Sequence, residues 1–438
     1  MRSRHTLAAF ALLAAFGLQP FSPSALSAGP LTQGDIASLR AQIRENFSVP
    51  ETLLALDART HRAFTPATGV RAEAVTYATQ FGMRVPAILY LPDPLPKGKI
   101  PAFIVVNGHG GDKYAWYSYY CGITYARAGA AVLTYDPAGE GERSRNRKSG
   151  TREHDYLRGS DTITDADAGR KLLGLMLTDV MQAVSYAASR PEIDATRIAA
   201  GGYSMGSFVM SIAGAIEPRL HAVILTGGGN LDGPGGYWDK CDKPMCQGHP
   251  YQSLLFLGDR PAIIYALQAD RGPTLIWNGR DDICNIKKTQ EPFFDDLRAR
   301  AAKLTSSEKQ KNIFTYGFTP KPASHRPYFI TKPPAIWLAK QLDFPNLTPG
   351  QVAALPEVHI SEWASETGYP MDRGYTSEER EGGAMAVGDN VPAIARDQLS
   401  VFTAAEWETV KAGYTFDTWL KKIGATTNKD KPKCPKKS

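Results

Sequence analysis

The sequence predicts an α/β fold in which a mostly parallel central sheet is covered by helices on both faces. Three observations carry this. Short β-rich apolar runs recur at 101–108, 130–139, 197–204, 221–229, 274–282 and 312–318, each ending in a loop with glycine or a polar residue. Segments of helical character separate the later ones, at 171–193, 261–269, 291–304 and 333–342. Finally, a chain of 438 residues that is 43% hydrophobic and 21% charged is long enough and apolar enough for a large globular core. Continuous apolar runs are what strands buried on both faces require. Alternation with helices implies right-handed β-α-β crossovers, and such sheets gather ligand sites beyond the carboxyl ends of their strands.

The elements follow in order. Residues 1–28 read as a secretory signal: a basic "MRSRH", an apolar "TLAAFALLAAFGL", and small residues suited to cleavage near Ala28. That apolar stretch is shorter than the roughly 20 residues a spanning helix needs, and no other segment is expected to cross a bilayer. A secreted or periplasmic protein without stable membrane insertion is therefore expected. "DIASLRAQIRENF" predicts a helix over 35–47, and 72–92 reads as a hairpin that adds antiparallel strands at one sheet edge. The main domain is placed at 29–345, with 29–100 as its helical and hairpin part. Residues 346–425 form a C-terminal extension, either packed on the core or folded as a small appendage, and 426–438 a disordered basic tail.

The formal net charge of +6 comes partly from the two ends, which argues against nucleic acid as a partner. Among the five cysteines, Cys241 and Cys246 in "CDKPMC" are the expected disulfide in an oxidising compartment. A zinc site there, with His249, lacks a second paired-cysteine knuckle. No metal and no cofactor are expected.

The chemistry is sought around Gly202-Tyr203-Ser204-Met205-Gly206, a G-x-S-x-G pattern where a strand gives way to a helix. A serine on such a turn projects its hydroxyl above the sheet. A plain glycine-rich turn with a capping serine is the other reading. Serine needs a base, and His325 in "PASHRPYF" follows the last strand run, with His359 as second choice. An acid must orient that base. Asp282, placed just past the strand end by a Gly-x-x-Asp exit whose turn Gly279 makes, is the first choice, ahead of Asp281 and the more distant Asp232. Backbone N–H groups of Met205 and of Gly111, or alternatively Gly110, would hold a developing oxyanion. The resulting order, serine then aspartate then histidine, is that of α/β-hydrolases.

Taken together, "GHGGDK", "LTYDPAGEGER", "SRPEIDATRIAAGGYSMG", "WNGRDD" and "SHRPYF" resemble the dienelactone hydrolase and acetyl xylan esterase-like branch of the α/β-hydrolases, over about residues 70–343. The resemblance implies an α/β-hydrolase fold, Ser204 as nucleophile, Asp282 as acid, His325 as base, and Met205 with a residue of the His109-Gly110-Gly111 loop as the oxyanion hole. The chain departs from that branch in reading "SMGS" where "SGGG" is frequent.

Substrate contacts are expected from two loops. Arg143, in a loop that also holds Arg145, Arg147 and Lys148, is a candidate clamp for a substrate carboxylate, against the reading that the loop is merely solvated or that Glu140 and Arg143 pair to shape it. Tyr237, Trp238 and His249 lie in the long segment 228–252, whose length suits a pocket wall. The aromatic run Tyr114 to Tyr120 is read as a core helix face rather than a sugar platform. The function these features predict is an exported serine hydrolase acting on small-molecule or carbohydrate esters through an acyl-enzyme. A prolyl-peptidase-like serine peptidase and a non-catalytic binding protein on the same fold are the alternatives.

Overall fold

The computed structural model describes residues 29–240, 247–282, 290–371 and 384–427. The expected signal segment, Cys241, Cys246, Cys284 and Cys434 lie outside them; Cys121, the one cysteine among the described residues, is buried and free.

Thirteen strands occur in chain order among the described residues: β1 (Arg59–Ala67), β2 (Val70–Ala78), β3 (Arg84–Pro92), β4 (Ile100–Val106), β5 (Ala131–Tyr135), β6 (Leu157–Arg158), β7 (Ile193–Tyr203), β8 (Ala222–Thr226), β9 (Thr274–Gly279), β10 (Thr315–Thr319), β11 (Glu357–His359), β12 (Met385–Val387) and β13 (Thr426–Thr427). Nine build the central sheet in the order β1-β2-β3-β5-β4-β7-β8-β9-β10. From β5 to β10 every neighbouring pair is parallel. At the other end β1, β2 and β3 are antiparallel, so the predicted hairpin is present and joins the sheet through β3 and β5. The sequence reading missed β1. Its side chains are largely exposed, as befits an edge strand without the apolar run that marks the central strands.

Helices α1 (Gln33–Asn46), α3 (Asp165–Ser189) and α4 (Met205–Ile216) share one apolar cluster on one face, together with Arg260–Arg271 and Glu291–Lys303. Helix α2 (Trp116–Arg127) and Lys332–Leu342 belong to a second cluster on the other face. The aromatic run is core as expected: Trp116, Tyr117, Tyr119 and Tyr120 are all buried. α3 starts six residues before the predicted 171, capped by the Thr164 side chain, which accepts from Asp167 N–H. It stops before the predicted 193 because Pro191 disfavours the helical conformation at Arg190, which is extended there. By length and apolar composition α3 is also long enough to cross a membrane, against the sequence expectation; 83% of its apolar window is buried in this protein, the mark of a core helix.

The chain beyond residue 345 contributes to both clusters. Val352, Ile360, Trp363, Val387, Leu399, Val401, Phe402 and Trp407 join the α2 face. Phe416, Trp419 and Leu420 join the α3 face. Trp363 lies among Trp116, Tyr119, Tyr120 and Tyr369, at ring separations of 5.2 to 6.2 Å, and its indole N–H donates to Val391 O. The helices formed here are short, Ala404–Val410 and Phe416–Ile423 among them. Thr426–Thr427, at the head of the expected tail, pairs with β6.

Candidate active site

Ser204 stands between β7 and α4 with φ 56° and ψ −115°. A positive φ on a side-chain-bearing residue costs on the order of 1–3 kcal/mol and persists only where the surroundings impose it. The imposing contacts are close. A Cβ on Gly202 would sit 2.3 Å from Gly206 O, and one on Gly206 would sit 2.1 Å from Val106 O. The two glycines of the motif are thus required by packing against each other and against β4. Ser204 N–H donates to Thr226 O on β8 at 2.9 Å, which fixes the turn to the neighbouring strand. The positive end of α4 begins at Met205, directly behind the serine.

His325 follows β10, and Asp282 follows β9. His325 Nδ1 lies 2.7 Å from Asp282 Oδ2, and the Asp282 side chain is fully buried. A carboxylate only accepts, so His325 carries its proton on Nδ1 and presents the Nε2 lone pair. Tyr203 braces the ring: its hydroxyl donates to His325 O at 3.1 Å, and the two rings lie 5.1 Å apart. Ser204 and His325 line one cavity of about 960 Å³.

The rival residues are elsewhere. Asp281 pairs with Lys321 at 3.0 Å on the surface. His359 caps the helix Ile360–Thr367 through Ser361. Asp232 accepts from the backbone of Tyr237 and Trp238, holding its own loop.

Four expectations need correction. Gly111 N–H turns back onto Gly108 O at 3.1 Å, and Gly110 N–H donates to Glu140 Oε1 at 3.1 Å. Both proposed oxyanion donors of this loop are therefore engaged within it. The part of the loop that reaches Ser204 is Gly108, where a Cβ would lie 2.8 Å from Ser204 Cβ. Arg143 is no substrate clamp: it is buried and bonded to Asp179 Oδ2 and Asp136 O. Nor does it pair with Glu140, which accepts from the N–H groups of Gly110, Thr151 and Arg152 instead. The solvated reading holds for Arg145, exposed and paired with Asp417. Trp238 is buried against Phe208 and Tyr251 and donates to Asn230 O. Tyr237 is exposed, and neither it, Trp238 nor His249 belongs to the lining of the Ser204 cavity; from that loop Gln247 does.

What the sequence reading missed is the opposite wall. Gly368, Tyr369, Pro370, Ala393 to Arg396 and Leu399 close the cavity over Tyr114, Trp116 and Tyr117. Arg396 stacks its guanidinium 3.6 Å above the Tyr114 ring and donates to Ser149 Oγ. Beneath lies a buried charge network. Lys113 Nζ meets Asp136 Oδ2 at 2.5 Å and Glu142 Oε2 at 2.9 Å, all three side chains fully buried. The surrounding carboxylates hold the ammonium protonated, far above its ordinary range, against the desolvation that would lower it. Burial pushes the neighbouring Asp112 up to about 6, with the charge of Asp136 adding to it. The "YDPAGEGER" stretch is thus an internal scaffold for the loop beside Ser204.

Residues 50–226 match the acetyl xylan esterase family model. A hydrolase, ORFZ, of Pyricularia oryzae is 30% identical over 162 residues, which span 36% of this chain and 32% of that protein, about a third of its length. A Bacteroides fragilis NCTC 9343 protein described as an acetyl xylan esterase aligns with a TM-score of 0.50 at 17% identity, covering 69% of this chain and 78% of its own. The methylesterase BT1017 aligns with a TM-score of 0.51 at 18% identity, covering 89% and 79%. The nine-stranded sheet, the strained serine turn and these alignments together show an α/β-hydrolase fold, in a chain whose residues 50–226 are similar to the acetyl xylan esterase family.

Proposed function

We propose that the protein is a serine hydrolase that cleaves carboxylic esters of carbohydrates through an acyl-enzyme. The observation that carries this is the His325–Asp282 bond beside Ser204 at the mouth of one cavity. In this reading Ser204 Oγ attacks the ester carbonyl while His325 Nε2 takes its proton; Asp282 stabilises the imidazolium that forms. The carbonyl oxygen, now anionic, is held by the N–H of Met205 at the head of α4 and by the N–H of the Gly108–His109 peptide, the part of its loop nearest the serine. His325 returns the proton to the leaving alcohol. Water then repeats the sequence and releases the acid.

The cavity lining, where the aromatic side chains of Trp116, Tyr117 and Tyr369 stand beside polar groups, supports a sugar-bearing substrate, because such a mixed wall suits both the apolar faces and the hydroxyls of a pyranose. The match to the acetyl xylan esterase model points the same way. Export through residues 1–28 fits a substrate derived from polysaccharide, and fractionation of expressing cells tests it.

The experiment is a hydrolysis panel of p-nitrophenyl esters, acetylated sugars, uronic acid methyl esters and aminoacyl amides, run beside fluorophosphonate labelling. Ester cleavage and labelling, both lost in Ser204→Ala, are expected. Cleavage of amides without esters points to a peptidase, and a folded protein that resists the label points to a binding protein; either overturns the proposal.

A further inference from the structure

We propose that His109, His154 and Asp155 form a binding site for a divalent transition metal of the zinc class, beside the Ser204 cavity but separate from the triad. The donor atoms, His109 Nε2, His154 Nε2 and Asp155 Oδ1, lie within 4.8 Å of one another. His109 Nε2 is 3.3 Å and His154 Nε2 is 3.6 Å from that carboxylate oxygen. Metal bonds of roughly 2.1 Å in a tetrahedron place neighbouring ligand atoms about 3.4 Å apart, so the two spacings to the carboxylate already suit coordination and the third lies within 4.8 Å.

The decisive observation is at His154. Its side chain is completely buried, and its Nδ1 lies 2.9 Å from Ala138 O. A carbonyl only accepts, so the proton is on Nδ1 and Nε2 carries a lone pair. That lone pair has no hydrogen-bond partner. It faces Asp155 Oδ1, an atom that also bears only lone pairs. Two acceptors turned toward each other in a buried place repel unless a cation stands between them. The Nδ1–H to carbonyl bond is also the orienting contact that metal-bound histidines regularly make. The other carboxylate oxygen, Asp155 Oδ2, is held by Arg152 at 2.5 Å, which leaves Oδ1 as a single-oxygen ligand. The imidazoles of His109 and His154 stack at 5.2 Å with an interplanar angle of 24°, so the two rings lie side by side at the carboxylate.

Two imidazoles and one carboxylate make a borderline donor set that favours zinc over magnesium or calcium. Binding requires His109 Nε2 to give up any proton it shares with Asp155; that proton moves to Nδ1 or to solvent. A fourth position remains for water. The site would fasten the 3-10 turn Glu153–Tyr156 to the loop after β4, whose Gly108 lies against Ser204.

The test uses the full chain, stripped with a chelator and titrated with Zn²⁺ against a chromophoric indicator, and in parallel with Co²⁺. One equivalent is expected to bind at micromolar affinity or tighter, to raise the melting temperature, and to give the cobalt visible spectrum of nitrogen and oxygen ligands without thiolate absorption. His154→Gln, and independently Asp155→Asn and His109→Gln, are expected to weaken binding by about 100-fold. His109→Gln alters a partly exposed side chain in a loop, so it reads the site even where the buried variant folds poorly. Absence of stoichiometric binding, binding that all three variants retain, or a thiolate spectrum would overturn the proposal. None of these results bears on whether Ser204 reacts with esters, which the labelling experiment decides.

Discussion

The two walls of the cavity were built by different means. On one side, Ser204, Asp282 and His325 stand in the loops after β7, β9 and β10 of the parallel part of the sheet, each placed by backbone geometry that recurs wherever such a sheet is made. On the other, residues 368–371 and 393–399 are held by side chains: Trp363 among four aromatic rings, Arg396 over Tyr114, and backbone N–H groups of Val401 and Phe402 donating to the buried Glu142. In the proposed reaction the first wall supplies the chemistry from a rigid frame. The second supplies shape from packing that can be changed without touching the frame. Reaction and selectivity should therefore separate under mutation.

The largest effect is expected from Ser204→Ala, a loss in kcat on the order of 10⁴- to 10⁶-fold with an unchanged melting temperature. Next comes Asp282→Asn, with a loss on the order of 10³- to 10⁴-fold in kcat, because the wrong histidine tautomer is favoured. Its control is Asp281→Asn, expected to stay within about threefold, since Asp281 pairs with a surface lysine and the Ala323 N–H rather than with His325. Equal losses in the two variants would break the assignment of the frame.

Trp363→Ala sharpens the other side. It removes a buried ring and leaves Val391 O without its indole donor, so denaturant unfolding should show a destabilisation of about 3–5 kcal/mol. In the fraction still folded, kcat for a small acetate ester should hold while KM for a sugar ester rises.

The smallest effect concerns Asp112. Its folded pKa, about 6, is raised above the unfolded value, so its contribution to stability is full below about pH 4 and is lost as pH rises through 6. Asp112→Asn lacks this slope. Relative to the wild type it should gain on the order of 2 kcal/mol between pH 4 and pH 7, measured by urea unfolding at each pH. A flat difference would show that Asp112 is ionised in the folded protein.

The same division explains what could be read from sequence. The strands announced themselves as apolar runs, and the serine turn by glycines that packing demands. Asp282 and His325 were legible because strand order alone puts their loops beside Ser204. Arg143 was misjudged because a charged residue in a loop looks solvated until its partner Asp179, on a distant helix, is known. The oxyanion loop failed for a finer reason: glycine content marks Gly108 to Gly111 as tight, but which N–H groups the turn itself consumes depends on Gly108 O and Glu140. The wall at 368–370 and 393–399 was invisible because it owes its form to contacts far away in the chain, and its residues show neither a period of 2 nor one of 3.6.

Glu142 carries one more consequence. Its carboxylate accepts from Val401 and Phe402, its backbone carbonyl accepts from the Trp407 indole, and both Lys113 and Arg147 lie against it. Cutting the chain near 345 would strip those donors from a charge that water does not reach. The hydrolase fold here is therefore not a detachable module with a tail added to it. The described residues beyond 345 are as much a part of what keeps its interior electrically balanced as the strands that carry the serine.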